Sequence, residues 1–164
     1  MDNISIGNSG EYFVAGELER RGLTAAVPMS NTKDFDILAI NRNNNKQYAI
    51  QVKTTTKNNW ILGKKCENNY GDNIIYVLVK LKGLETPEYH IIPSKVIAKR
   101  IKTSHQEWLN TPGRNGKKHN DNVIRIFDDE NDEYLNRWDL FEWHKFYKFC
   151  YDWTVIIWNM NLKK

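Results

Sequence analysis

The stretch from Phe35 to Thr54 constrains the fold most. Phe35-Asp36-Ile37-Leu38-Ala39-Ile40 is almost continuously apolar and β-prone, and it stops at the polar cluster Asn41-Arg42-Asn43-Asn44-Asn45-Lys46. Gln47 to Thr54 then alternates, with Tyr48, Ile50 and Val52 on one face and Ala49, Gln51 and Lys53 on the other, because strand side chains point to opposite faces with period two. The two segments are expected to pair as a hairpin. Asp36 is the anomaly in it, since an unpaired buried carboxylate costs several kcal/mol and so demands a cation. A carboxylate, an amide oxygen and an ammonium gathered on one side of a hairpin have the chemistry to hold Mg²⁺ or Mn²⁺, orient a water and counter charge building on a phosphate.

The flanking segments place other elements around this hairpin. Gly10 to Arg21 reads as an amphipathic helix, with Tyr12, Phe13, Val14, Ala15 and Leu18 on its apolar side. Asn8 or Ser9 is the expected N-cap and Gly22 the left-handed residue that ends it. Glu11 then reads as part of a helix start, three residues after Asn8 in a capping-box variant, and Glu17 with Arg21 as a solvated pair. Ile74 to Lys80 and Tyr89 to Ile92 are further strands, and Ser94 caps a short helix through Lys102. Ser104 to Asp121 is expected to be a mobile basic loop. Tyr134 to about Trp153 shows Leu140, Trp143, Tyr147 and Cys150 at helical spacing, and Trp153 to Met160 extends that helix or forms an edge strand.

A chain of 164 residues with 40% apolar content fits one domain, 1–164, with a core at about 7–103 and an extension at about 104–164. Its net charge of +4 favours polyanionic partners mildly. Cys66 and Cys150 are the only cysteines and lack C-x-x-C spacing, which fits a reducing cytoplasm, and neither a signal peptide nor a membrane span is evident. His90, His105, His119 and His144 show no zinc-type spacing and read as surface or core residues.

Asp36 followed, after fourteen intervening residues, by Gln51-Val52-Lys53 resembles the bipartite signature of the PD-(D/E)xK, or restriction endonuclease-like, nuclease superfamily. Gly10 to Gly22, with Glu11 near its head and a lead through Ser30 and Lys33 to Asp36, is similar to the first helix of Holliday junction resolvases of that superfamily. The resemblance covers about residues 7–57, takes in Tyr76 to Lys80 and Tyr89 to Ser94 as later core strands, and stops before residue 103. It implies an α/β fold with a central mixed sheet flanked by helices, followed here by an aromatic-rich helical extension. It also implies metal-dependent DNA endonuclease activity, with Glu11, Asp36 and Gln51 at the metal and Lys53 as the catalytic lysine. Gln51 departs from the usual Asp or Glu, as in Mrr-like members, and removes one negative charge from the metal site. Phe35 replaces the proline of the signature.

DNA is the implied partner. Lys33, Thr54, Lys57, Lys64 and Lys65 near the site, and Arg114, Lys117 and Lys118 in the polar loop, are candidate phosphate contacts, although lysines after a strand are equally a solvated loop. Trp138, Phe141, Trp143, Phe146, Tyr147, Phe149, Tyr151, Trp153 and Trp158 exceed what one helix face can hide. A homodimer surface, an aromatic core over the sheet and base stacking all account for them. Two rival functions stand beside the nuclease: a catalytically silent DNA-binding module and a protein-interaction domain.

Overall fold

The computed structural model describes residues 2–28 and 35–142. Helix α1 spans Asn3–Glu19 and is capped by Asp2, whose Oδ1 accepts the Ser5 amide at 2.9 Å. It begins well ahead of the Asn8 or Ser9 expected as cap, because Asp2 satisfies the free amides one turn and more upstream. Gly22 ends the helical segment as expected, at φ 83° with its amide donating to the Glu19 carbonyl at 3.0 Å. Gly10, Val14 and Leu18 recur every fourth residue as the buried stripe of α1.

Strands β1 (Leu23–Ala26), β2 (Ile37–Asn41) and β3 (Gln47–Thr55) run antiparallel in series, with Ile37 opposite Ile50. The hairpin closes where the Asn45 amide donates to the Asn41 carbonyl at 2.9 Å, Asn45 adopting φ 56°. After β3 the chain crosses through β4 (Trp60–Gly63) and a 3-10 turn (Lys64–Glu67) to β5 (Ile74–Lys80), which lies parallel to β3. Strand β6 (Glu88–Pro93) returns antiparallel, giving a five-stranded mixed sheet in the order β1-β2-β3-β5-β6. Helix α2 (Ser94–Asn110) follows, and β7 (Ile124–Phe127) pairs with β4 in a separate two-stranded ribbon.

Both faces of the sheet are covered. On one, Val14 and Leu18 of α1 pack with Ile37, Tyr48, Ile50, Val52, Val77 and Ile91. On the other, Ile97 and Ile101 of α2 pack with Trp60, Leu62, Tyr76, Leu78, Ile92 and Phe127. Burial on two sides explains why β5 is a nearly unbroken apolar run. Among the described residues no helix is long and apolar enough to cross a membrane.

Three expectations need correction. Helix α2 continues past Lys102 to Asn110, and Ser94 does not cap it: its hydroxyl donates to the Gly71 carbonyl at 3.0 Å and accepts the Gly71 amide at 3.1 Å. The basic loop therefore starts later, and it contains a turn at Arg114–Gly116 with the His119 ring stacked 4.0 Å from that of Trp108. Residues 134–142 are not α-helical. Asn136 and Glu142 take φ near 55°, which breaks helical continuity, and between them lies only a 3-10 turn, Trp138–Phe141. Trp138 and Phe141 are buried in the α1-side core, and the Arg21 guanidinium lies 4.2 Å from the Trp138 ring centre. For these two aromatics the core reading holds. The other C-terminal aromatics, the helix or strand expected there and the dimer surface fall outside the described residues.

Candidate active site

The site grows from the point where β2 begins. The Asp36 amide donates to the Ile50 carbonyl at 2.8 Å, which fixes this residue beside β3 immediately before the strand proper. Asp36 Oδ2 accepts the Val52 amide at 2.8 Å and faces Lys53 Nζ at 3.5 Å. Lys53 Nζ also donates to the Val52 carbonyl at 2.9 Å. Both of these bonds fall on one oxygen of the carboxylate, so among the described residues Oδ1 is the oxygen left to a ligand. The side chains of Asp36 and Lys53 are 24% and 35% exposed, wet enough to exchange a water for an ion. The cation demanded by an acid at the head of an apolar strand is thus partly supplied by Lys53, with the rest of the charge balance open to solvent.

Glu11 approaches from α1. Its position in the middle of the helix excludes the capping role. The approach depends on Gly10: a Cβ built there lies 1.9 Å from Thr54 Oγ1, so only glycine lets α1 sit this close to β3. Burial pushes the Glu11 carboxyl above its ordinary value, the negative charge of Asp36 pushes it further, and Lys53 opposes both. All three groups therefore share one electrostatic neighbourhood. Among the described residues Glu11 makes no hydrogen bond or ion pair, unlike Glu17, which is held by Arg20 at 3.1 Å and by Arg21.

Gln51 is buried, and it stands on β3 opposite Tyr76 of β5. The alternation along β3 is as expected, with Ile50 and Val52 in the α1-side core. Burial raises the Tyr76 phenol well above its usual value, with Cys66 and then Asp36 adding to the effect. Tyr76 lies on an expected strand, but its place beside Gln51 follows only from the parallel pairing of β3 with β5. Two carboxylates, one without a partner among the described residues, and a wet edge fit a hard divalent cation, which seeks oxygen ligands and retains waters.

The candidate phosphate contacts scatter. Lys57 and Lys65 are exposed near β3 and β4, and Lys64 Nζ pairs with Asp121 at 2.7 Å. Thr54 turns the other way: its hydroxyl is buried against Gly10 without a hydrogen-bond partner, so it presents no donor to a ligand. Arg114, Lys117 and Lys118 are exposed on the loop after α2, and Lys33 lies outside the described residues.

The five-stranded mixed sheet carries Asp36 and Lys53 at one edge of a central hairpin, with α1 across it. This architecture is the expected central mixed sheet flanked by helices. Among solved structures the chain is similar to the Holliday junction resolvase Hjc of Archaeoglobus fulgidus, at 15% identity and a TM-score of 0.45, over 75% of this chain and 84% of that one. It is also similar to the bacterial homing endonuclease I-Ssp6803I, at 14% identity and a TM-score of 0.43, over 58% of this chain and 67% of that one. No family model and no curated protein matches the sequence.

Proposed function

We propose that this chain is a divalent-metal-dependent DNA endonuclease folded as a single domain, with Glu11, Asp36, Gln51 and Lys53 as its active site. The observation that carries the reading is Glu11: a half-buried carboxylate with no partner among the described residues, its pKa raised by burial and by Asp36. A bound cation would relieve the repulsion between the two carboxylates, and the Lys53 ammonium, held by Asp36 Oδ2 and the Val52 carbonyl, keeps an N–H for a ligand.

Glu11 and Asp36 would hold Mg²⁺ or Mn²⁺, with the Gln51 amide oxygen as the neutral donor. When bound, the metal supplies Lewis-acid polarisation of a phosphate oxygen and a more acidic water. The chain itself does the rest. Lys53 places its ammonium beside the scissile phosphate, orienting the attacking water and countering charge that builds on the phosphoryl oxygens. The Val52 amide fixes the Asp36 carboxylate so that its second oxygen stays directed to the ligand. Lys57 and Lys65, both exposed, supply positive charge along the approach of the DNA backbone.

A silent DNA-binding module is the second reading, and the buried amide at Gln51 favours it, since one carboxylate fewer weakens metal affinity. Cleavage assays separate the two. Supercoiled, linear and four-way-junction DNA are incubated with Mg²⁺ or Mn²⁺ and with the parent, Asp36→Ala or Lys53→Ala. The nuclease reading expects nicking by the parent alone. If all three proteins bind DNA and none cleaves it, the silent module replaces it.

A further inference from the structure

A second polar cluster lies far along the sheet from Asp36, at its β6 edge. His90 is 2% exposed, stands opposite Leu78 of β5, and packs its ring edge-on against Trp60 with centroids 4.9 Å apart. Its Nδ1–H donates to Asp129 Oδ2 at 2.7 Å, and the same oxygen accepts the Tyr134 amide at 2.9 Å. Asp129 is 5% exposed. Beyond these bonds, His90 Nε2 and Asp129 Oδ1 are buried with no hydrogen-bond partner among the described residues, and the Arg100 guanidinium stands 4.0 Å from Oδ1. Two orphaned polar atoms on adjacent buried side chains are costly and call for a ligand.

The surroundings supply the rest of a site. His90, Asp129 and Asp132 line a cavity of about 160 Å³, which they share with Glu88, Asp128 and Lys80. The Asp132 amide donates to the Asp129 carbonyl at 2.9 Å, and Asp132 sits at φ 52°, a tight turn that folds its carboxylate back. One ring nitrogen of His90 and one oxygen from each of Asp129 and Asp132 lie within 4.8 Å of one another.

We propose that His90, Asp129 and Asp132 form a second divalent-cation site, distinct from the Glu11–Asp36 pair, that takes a borderline metal such as Zn²⁺ in preference to Mg²⁺. An imidazole nitrogen with two carboxylate oxygens suits Zn²⁺, whereas Mg²⁺ prefers an all-oxygen shell. Ligands about 2.0–2.2 Å from Zn²⁺ stand closer together than these do now, so the site closes inward, and Asp132, exposed on its turn, is free to make that movement. The bound ion would tie β6 to the turn after β7, a structural role that does not depend on the nuclease reading.

The test uses the full chain, stripped with a chelator and titrated with Zn²⁺ by calorimetry in excess Mg²⁺, with thermal melting in parallel. The parent is expected to take up one Zn²⁺ per chain and to melt higher with it. Asp132→Asn keeps a residue that tolerates positive φ, so its metal-free melting should match the parent while its Zn²⁺ affinity falls about tenfold or more. Asp36→Asn should bind Zn²⁺ as the parent does. The proposal is overturned if the folded parent takes up no Zn²⁺, if Asp132→Asn binds it undiminished, or if Asp36→Asn abolishes the binding.

Discussion

The two acidic corners of this molecule are built on opposite plans. At the head of β2, Asp36 and Glu11 sit partly wet, and Glu11 has no partner among the described residues. At the β6 edge, His90 and Asp129 are sealed from solvent and joined by a 2.7 Å hydrogen bond. A wet pair of like charges can exchange water for an ion and a substrate, whereas a buried pair that opens to solvent only on its Asp132 side suits an ion held in place. Openness is what suits the first corner to turnover and the second to a structural ion.

The largest effect that would break this contrast is on cleavage. Asp36→Ala should lower the rate of DNA nicking by about 10² to 10³-fold or more, read on supercoiled DNA, with folding unchanged by circular dichroism. Equal nicking by parent and variant would remove the first corner from catalysis. Gly10→Val comes next, because its Cβ collides with Thr54 and pushes α1 off β3. Urea unfolding should report a loss of about 1–3 kcal/mol, and activity should fall further as Glu11 is displaced.

Gln51→Glu sharpens the account at a smaller scale. Restoring a carboxylate should lower the Mg²⁺ concentration for half-maximal cleavage by about tenfold, close to 1.4 kcal/mol of metal binding. The smallest effect concerns pH. The Glu11 pKa is raised in the folded state, so its contribution to stability is fully present below the ordinary value of 4.5 and is lost as pH rises through the raised one. Glu11→Gln should therefore melt about 1–2 °C higher than the parent at neutral pH without metal, and the gap should close or reverse when Mg²⁺ is added.

How far the sequence could be read follows from how local each signal is. The hairpin was legible because period-two alternation and an asparagine-rich turn are both short-range features, and α1 was legible at its glycine end for the same reason. Its start is not legible, because the competing caps Asn8 and Ser9 look as good as Asp2 when no tertiary contact is visible. Strands β1, β4 and β7 have only four residues each, too few to show a period, and β4 meets β7 across more than sixty residues of chain. The pairing of His90 is hidden for a related reason: its partner Asp129 is 39 positions away, and no spacing rule reaches that far. Within the site, Asp36, Gln51 and Lys53 lie on one hairpin and could be read together, whereas Tyr76 enters only through parallel pairing.

The most direct measurement is a crystal grown with Mn²⁺ and its anomalous difference map. If the two carboxylates hold the ion, a peak is expected between Asp36 Oδ1 and the Glu11 carboxylate, with oxygens at about 2.0–2.6 Å. A map with no density there at saturating Mn²⁺, and with Glu11 still facing Asp36 unbridged, would contradict it.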